Sequence, residues 1–303
     1  MNTVRLNAYA KLNLTLDITG EEGGYHLLDS LVCSIDLSDR IVVKKRKDAL
    51  VNVYMHGMKS EEIPPEQNNA VKAGEAFVRA FSTCGADVHV YKNIPMGAGL
   101  GGSSADAAGV LAGMAKLYNI PLEKVTALAA TLGSDTAYMV SGGFARMRGR
   151  GEQVQPLNGC PRLYFLLLAP KEGVSTKACF ARADEEKEGR IPCTERAIEA
   201  LTGGNAEALG KRLKNDLYPA AATLNQSVAL AKKEAEDFSP LGASMTGSGS
   251  AVFALFETRE LCEWAKSRYR GKARAYVVRT VEPNKERNGW RNPFVLSEEE
   301  SAL

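Results

Sequence analysis

Apolar and polar positions alternate early in the chain. Leu12, Leu14, Leu16 and Ile18 are each separated by one polar residue, the period-two pattern of a half-buried strand. Gly20–Gly24 predicts a turn, and Leu31–Asp36, Arg40–Lys45 and Ala49–Met55 read as further strands. The spacing then becomes helical over Asn68–Phe81, with Val71, Ala73, Phe77, Val78 and Phe81 on one face. Val88–Tyr91 predicts a short strand that leads into a glycine-rich segment. An alanine-rich run to about Tyr118 predicts the helix that follows. Lys124–Leu132 predicts another helix, stopped by Gly133, and Gly142–Arg148 a strand.

Beyond this point the pattern changes. Gly149–Pro161 is rich in turn residues and is the candidate boundary between two domains, residues 1–155 and 156–282. Leu163–Ala169 is the strongest strand signal in the chain. Helices are predicted near Cys193–Leu201, Ala206–Leu213, Ala221–Glu236 and Leu261–Tyr269, with strands at Ala251–Phe256 and Ala273–Arg279. Strands mixed with helices packed on one side give an α+β layout. The tail, residues 283–303, carries charge with little apolar periodicity and is expected to be loosely held.

Composition narrows the partners. A chain of 303 residues suits two domains of roughly 150 residues each. The formal net charge of +2 gives no argument for nucleic acid or membrane as partner. No apolar run approaches the ~20 residues of a spanning helix, and the N-terminus carries no signal-peptide pattern. Six scattered cysteines without a Cys-x-x-Cys pair argue against a zinc site and for reduced thiols in a cytoplasmic protein. The three histidines show no metal-ligand spacing. No protein partner is predicted.

The chemistry concentrates in Pro95–Gly109. Gly97, Gly99, Gly101 and Gly102 leave the backbone without Cβ atoms, so a bulky anion can approach. Ser103 and Ser104 then fall at the expected N-cap of a helix, whose unpaired amides and positive dipole end form a phosphate site. No Lys follows the glycines, so this is not a Walker A loop. Gly97, Gly99 and Gly102 match Gly-x-Gly-x-x-Gly, but Pro121 interrupts the strand that a dinucleotide fold requires next. A second cluster, Thr246-Gly247-Ser248-Gly249-Ser250, precedes a strand. Alone it reads equally as a turn; with the first loop it suggests a ligand bearing several phosphates, gripped from both domains. Lys11 fits a solvated strand position, and Asp135 a cap. Together they form a candidate pair, a carboxylate to accept a hydroxyl proton and an ammonium to hold developing charge.

Pro95–Gly109 resembles the signature loop of the GHMP kinases, the superfamily of galactokinase, homoserine kinase, mevalonate kinase and phosphomevalonate kinase. Ala10-Lys11-Leu12-Asn13-Leu14 with Gly24-Tyr25-His26, Gly133-Ser134-Asp135, Asn215-Asp216-Leu217 and Ser244-Met245-Thr246-Gly247-Ser248-Gly249 follow in order. They are similar to segments of the branch that phosphorylates a methylerythritol capped with cytidine diphosphate. The similarity runs from about Ala8 to Phe256. One departure is Ser103, where that branch often has a third glycine.

The resemblance implies an N-terminal ribosomal-protein-S5-domain-2-like domain and a C-terminal ferredoxin-like α/β sandwich. It implies transfer of phosphate from ATP, with Mg²⁺, to the 2-hydroxyl of that acceptor in the non-mevalonate (MEP) route to isoprenoid precursors. Lys11 and Asp135 would be catalytic. Asn68, Lys92, Pro95, Met96, Gly97, Ala98, Gly99, Leu100, Gly101, Gly102, Ser103 and Ser104 would bind ATP, and Ser104 would hold Mg²⁺. Asn13, Tyr25, His26, Thr176 and Phe180 would bind the acceptor, with Tyr25 and Phe180 as walls of a cytidine slot. Gly247, Ser248 and Gly249 would close on the phosphates. A cousin kinase acting on homoserine or mevalonate derivatives would have no base for Gly24-Tyr25-His26 to meet. A non-catalytic RNA-associated protein would call for a basic face that the balanced charge does not suggest.

Overall fold

The computed structural model describes residues 2–57, 64–186 and 190–281, with a short backbone pairing of 285–286 against 289–290. The rest of the 283–303 tail lies outside the described residues.

The first sheet is built from β1 (Thr3–Asn13), β2 (Thr15–Glu22), β3 (Tyr25–Lys45), β4 (Val51–His56), β5 (Ala86–Tyr91), β6 (Phe144–Gly149) and β7 (Gln153–Leu157). β3 is its spine: 21 residues long, it pairs antiparallel with β1, β2, β5 and β6 at different points along its length. The sequence reads β3 as two strands because Leu37-Ser38-Asp39 interrupts its pattern. Asp39 is nevertheless fully buried, accepting the amides of Asn93 and Ile94 at 2.5 and 2.8 Å. The candidate boundary at 155/156 falls inside β7, which stays paired with β6 as far as Leu157.

Helices cover one face of this sheet. The capping side chain of Asn68 starts α1 (Asn69–Phe81) by accepting from Ala70 at 2.9 Å. α2 (Gly102–Tyr118) is almost wholly buried, and its small residues let it approach the strands. A Cβ on Gly109 would lie 2.4 Å from Ile41, and one on Gly113 would lie 2.6 Å from Val43. α3 (Leu122–Ala130) ends two residues earlier than predicted. α4 (Ser134–Ser141) was not predicted, because Thr136–Val140 are all buried and show no amphipathic stripe.

The second sheet is antiparallel, in the order β10 (Gly242–Met245), β11 (Val252–Phe256), β8 (Tyr164–Ala169), β12 (Arg274–Arg279). The helices of this half are α5 (Thr176–Ala183), α6 (Thr194–Thr202), α7 (Ala206–Gly210), α8 (Tyr218–Leu224), α9 (Gln226–Glu236) and α10 (Arg259–Arg268); α9 and α10 pack on this sheet, whereas α6 packs on β2 and β3 of the first. The helix expected over Ala221–Glu236 is broken at Asn225, whose side chain caps α9 through the Ser227 amide at 3.0 Å. The halves interlock: β9 (Lys214–Asn215) adds to the first sheet in parallel with β2. The α+β architecture is as expected. No helix among the described residues is long and apolar enough to cross a membrane.

Candidate active site

The two glycine loops meet. The first runs from β5 to α2, and its carbonyls join the second by accepting from Ala251 N–H at Ala98 O, 3.1 Å, and from Thr246 Oγ1 at Gly99 O, 3.2 Å. Gly99 has φ +74°, and a Cβ there would fall 2.1 Å from the Thr246 carbonyl. Only a glycine permits this approach.

The helix after the first loop starts earlier than its serines suggest. Gly101, with φ +71°, is the N-cap and offers no side-chain cap. Ser103 and Ser104 therefore lie inside the first turn rather than capping it. The first intrahelical bond runs from Ala105 N–H to Gly101 O, 2.8 Å, so the amides ahead of it have no acceptor within the helix. With Gly97, Gly99 and Gly101 all at positive φ, this is a cradle of outward amides at a positive dipole end. Asn69 secures its rim by donating to Ser103 Oγ at 2.8 Å.

Lys11 lies where β1 shifts register against β3, and its own amide donates to the Leu100 carbonyl at 3.0 Å. Its ammonium is buried, donates to Asn13 Oδ1, and stands 3.6 Å from Asp135 Oδ2. Asp135 is in the first turn of α4, where the dipole favours a carboxylate, and its side chain is about one-third exposed. An ion pair of that length leaves both groups free to take a third partner between or beside them. A Cβ on Gly101 would press on Lys11 at 3.2 Å, so this glycine also leaves room for the ammonium's stem.

Asn13 does more than its position in the sequence suggests. Its amide nitrogen donates to Ser30 Oγ at 2.8 Å, and its Oδ1 accepts from Lys11 and from the Gly247 amide at 3.1 Å. Its backbone donates to Thr246 Oγ1 at 3.0 Å. It ties Lys11 to the second glycine loop. Asn215, in β9, fixes that loop from behind by donating to the Met245 and Gly247 carbonyls, both at 2.8 Å. Thr176 and Ser248 share a hydroxyl hydrogen bond of 2.9 Å, which ties the start of α5 to the loop.

Two cavities share Gly99, Gly101, Ser104 and Thr176 as a common wall. The smaller, about 310 Å³, is lined by the first loop, Asn68, Lys92 and Asp106. Lys92 does not offer a bare cation to it. Its ammonium is held by Asp39 and by Asp106, the latter at 2.6 Å. Burial opposes its charge, but Asp106 and Asp39 outweigh burial and raise its pKa. Complete burial raises Asp106 above the usual carboxylate range despite Lys92, and Asp39 adds to the rise. Two carboxylates share one ammonium, and Asp106 Oδ1 has no partner.

The larger cavity, about 1030 Å³, contains Lys11, Asn13, Asp135, Tyr25, His26 and Phe180. His26 stacks on Phe180 with centroids 4.7 Å apart, and its Nε2 lies 2.7 Å from Asp184 Oδ1. Tyr25 is exposed and carries the Arg150 guanidinium 4.1 Å over its ring. The predicted site residues other than Gly249 thus line one or other of the two adjoining cavities. Arg150, Asp184 and the Asp39–Asp106 support of Lys92 were not predicted; their partners lie far away in the chain.

A two-lobed cleft, an amide cradle between the lobes and a lysine–aspartate pair in the larger lobe describe a small-molecule phosphotransferase. Residues 68–145 match the GHMP kinases N terminal domain and residues 197–269 the GHMP kinases C terminal domain. A 4-diphosphocytidyl-2-C-methyl-D-erythritol kinase of Desulfitobacterium hafniense is 38% identical over 293 residues, covering 93% of this chain and 97% of the relative. A crystal structure of 4-(cytidine 5'-diphospho)-2C-methyl-D-erythritol kinase superposes with TM-score 0.76 at 31% identity, covering 91% of this chain and 98% of that one. Homoserine kinase from Cytophaga hutchinsonii shares the fold, with TM-score 0.72 at 18% identity over 91% of this chain and 94% of that one. The chain belongs to the 4-diphosphocytidyl-2-C-methyl-D-erythritol kinase family of GHMP kinases.

Proposed function

We propose that this protein transfers the γ-phosphate of ATP to the 2-hydroxyl of 4-diphosphocytidyl-2-C-methyl-D-erythritol, a step of the MEP route to isoprenoid precursors. The observation that carries the site assignment is the Lys11–Asp135 pair, 3.6 Å apart in the larger cavity, beside the Gly99–Gly101–Ser104 wall that this cavity shares with the smaller one. Phosphoryl transfer asks chiefly for positioning and charge stabilisation. The amides from Gly97 to Ser104 supply both for the triphosphate, and Asn68 borders the adenosine end. Asp135 accepts the proton of the acceptor hydroxyl. Lys11, steadied by Asn13, holds the negative charge that develops.

The cytidine end lies against Tyr25, His26 and Phe180. Aromatic stacking on a base is worth about 1–3 kcal/mol. Asp184, 2.7 Å from His26 Nε2, fixes the ring's orientation and leaves Nδ1 to meet the edge of the cytosine. Thr176, Gly247, Ser248 and Gly249 close over the phosphates from the second lobe. Among the described residues no three His, Cys, Asp or Glu side chains converge to hold a metal. Ser104, on the wall shared by both cavities, would offer its hydroxyl to a Mg²⁺ ion brought in on the nucleotide, and the ion would supply charge neutralisation. Residues 1–155 would then bear the nucleotide and the catalytic pair, and 156–282 the closing loop.

A coupled ADP-release assay tests this against the cytidylated methylerythritol, homoserine, mevalonate and phosphomevalonate. Turnover is expected with the first alone. Asp135→Asn should lose at least ~10³-fold in kcat, within the range of an acid–base group and its charge, while nucleotide affinity stays within a few-fold. Ordinary turnover by that variant removes Asp135 from the mechanism.

A further inference from the structure

α2 packs on the side of the first sheet that carries Leu6, Ile41 and Val43. On the opposite side, at this end of the sheet, β1, β3, β5 and β4 lie side by side and bring together residues from four separate parts of the chain. One row across the sheet is Arg5, Val42, His89 and Tyr54, and the next is Asn7, Arg40, Tyr91 and His56. Lys44 stands one row further on, opposite Asp87.

The β4–β5 half of this face is a platform of flat rings. Tyr54 and His89 lie 4.9 Å apart with planes 20° from parallel, and His56 and Tyr91 lie 4.6 Å apart at 17°. His56 Nε2 and His89 Nδ1 are 3.1 Å apart, which joins the two pairs. Burial, Lys44 and His56 lower the pKa of His89, so it presents an uncharged ring at neutral pH. Tyr54 and Tyr91 are almost half exposed.

The β1–β3 half is cationic. Arg5, Arg40 and Lys44 are exposed, and no carboxylate pairs with them among the described residues. The acid on the face, Asp87, is already engaged by Arg46 at 2.7 Å and by Asn52 at 2.9 Å. A cavity of about 510 Å³ lies at the junction of the two halves, lined by Arg5, Arg40, Val42, Lys44, His89 and Tyr91. It shares no residue with either lobe of the catalytic cleft.

Rings on one side and free cations on the other match a ligand with flat bases along one edge and phosphates along the other. Residues i, i+2 and i+4 of a strand line one face over about 13 Å, so Arg40 and Lys44 track a backbone rather than one anion. We propose that this face binds single-stranded nucleic acid, with bases stacked on the Tyr54–His89–His56–Tyr91 platform and phosphates on Arg5, Arg40 and Lys44. The arrangement is that of a stacking platform beside an electrostatic track.

The test is fluorescence anisotropy of a 5′-labelled oligouridylate decamer with the full-length protein between 50 and 200 mM KCl, with saturating ATP present to occupy the cleft. Binding is expected, with a log–log salt slope of about −2, from roughly 0.7 per phosphate contacted on a single strand. Arg40→Gln with Lys44→Gln should reduce that slope to about a third. Tyr91→Ser should weaken binding about tenfold and leave the slope unchanged. Both variants should keep the parental melting temperature and ADP release. The proposal falls if the decamer does not bind at 50 mM KCl, or if neither variant alters binding. It also falls if an RNA duplex competes as well as the single strand, or if ATP displaces the decamer. Sedimentation showing a dimer that Arg40→Glu dissolves would make this face a contact between two copies of the chain, and would equally overturn it.

Discussion

Gly97 and Gly99 belong to one motif and both have positive φ, +64° and +74°, yet an added methyl would meet different surroundings. At Gly97 the nearest protein atom to a new Cβ is Gly173 Cα at 3.6 Å, an ordinary contact. Gly97→Ala therefore costs the left-handed backbone strain alone, about 1–2 kcal/mol. At Gly99 the Cβ would lie 2.1 Å from the Thr246 carbonyl and 3.1 Å from Gly249 N and O. These are backbone atoms, so the second glycine loop must retreat by about 1 Å to reach ordinary contact. Thr246 also holds Asn13 N–H and Gly99 O through its hydroxyl, and Gly249 N–H through its carbonyl. Weakening these bonds adds about 1 kcal/mol each to the strain. Gly99→Ala is expected to lose about 3–5 kcal/mol in all, a fall in melting temperature on the order of 10 °C. Because Asn13 links the same loop to Lys11, a 1 Å displacement should also lower kcat by about 10²-fold. The measurements are differential scanning fluorimetry without nucleotide and the coupled ADP-release assay at saturating substrates. If Gly99→Ala melts no lower than Gly97→Ala and keeps kcat within threefold of the parent, the two loops are not interlocked as described.

The buried pair around Lys92 makes a prediction of opposite signs. Burial raises Asp106 from 3.8 to about 8, so the folded protein holds a proton that the unfolded chain has released. The stability it contributes is full below pH 3.8 and lost as pH rises toward 8. Asp106→Asn should flatten the melting-temperature profile between pH 4 and 8 and melt at or above the parent at pH 8; a steeper profile would contradict this. Lys92→Met instead leaves Asp39 buried without its cation, and should cost about 3–5 kcal/mol at pH 7 by denaturant unfolding. At the cytidine end, Asp184→Asn removes the charged partner that orients His26. KM for the cytidylated acceptor should rise about tenfold, a loss of ~1.4 kcal/mol, with KM for ATP unchanged; a matching rise for ATP would detach Asp184 from the acceptor.

What the sequence made legible was local. α1, α2 and β8 carry their own periodicity, and the first glycine loop carries its own chemistry, so all four can be found without tertiary knowledge. The remainder depends on partners distant in the chain. Asp39 looks like a break in β3 until Lys92, Asn93 and Ile94 are seen to satisfy it across 53 to 55 residues. Asn13 is expected to bind the acceptor, but its second task, accepting from the Gly247 amide 234 residues away, has no signal in the sequence. Lys11 and Asp135 are each unremarkable alone, and only the register shift in β1 and the unpredicted α4 bring them together. The same reasoning explains why a net charge of +2 argued against nucleic acid. Net charge averages over the whole surface, whereas a binding face is defined by which strands are neighbours. Arg5, Arg40 and Lys44 are separated in the chain, and acids elsewhere cancel them in the total. Sheet pairing puts them on one face with four rings, where the acid, Asp87, is already engaged by Arg46 and Asn52. A charge total can therefore exclude a strongly basic protein, but it cannot exclude a basic face, and that holds for any chain whose topology pairs strands far apart in sequence.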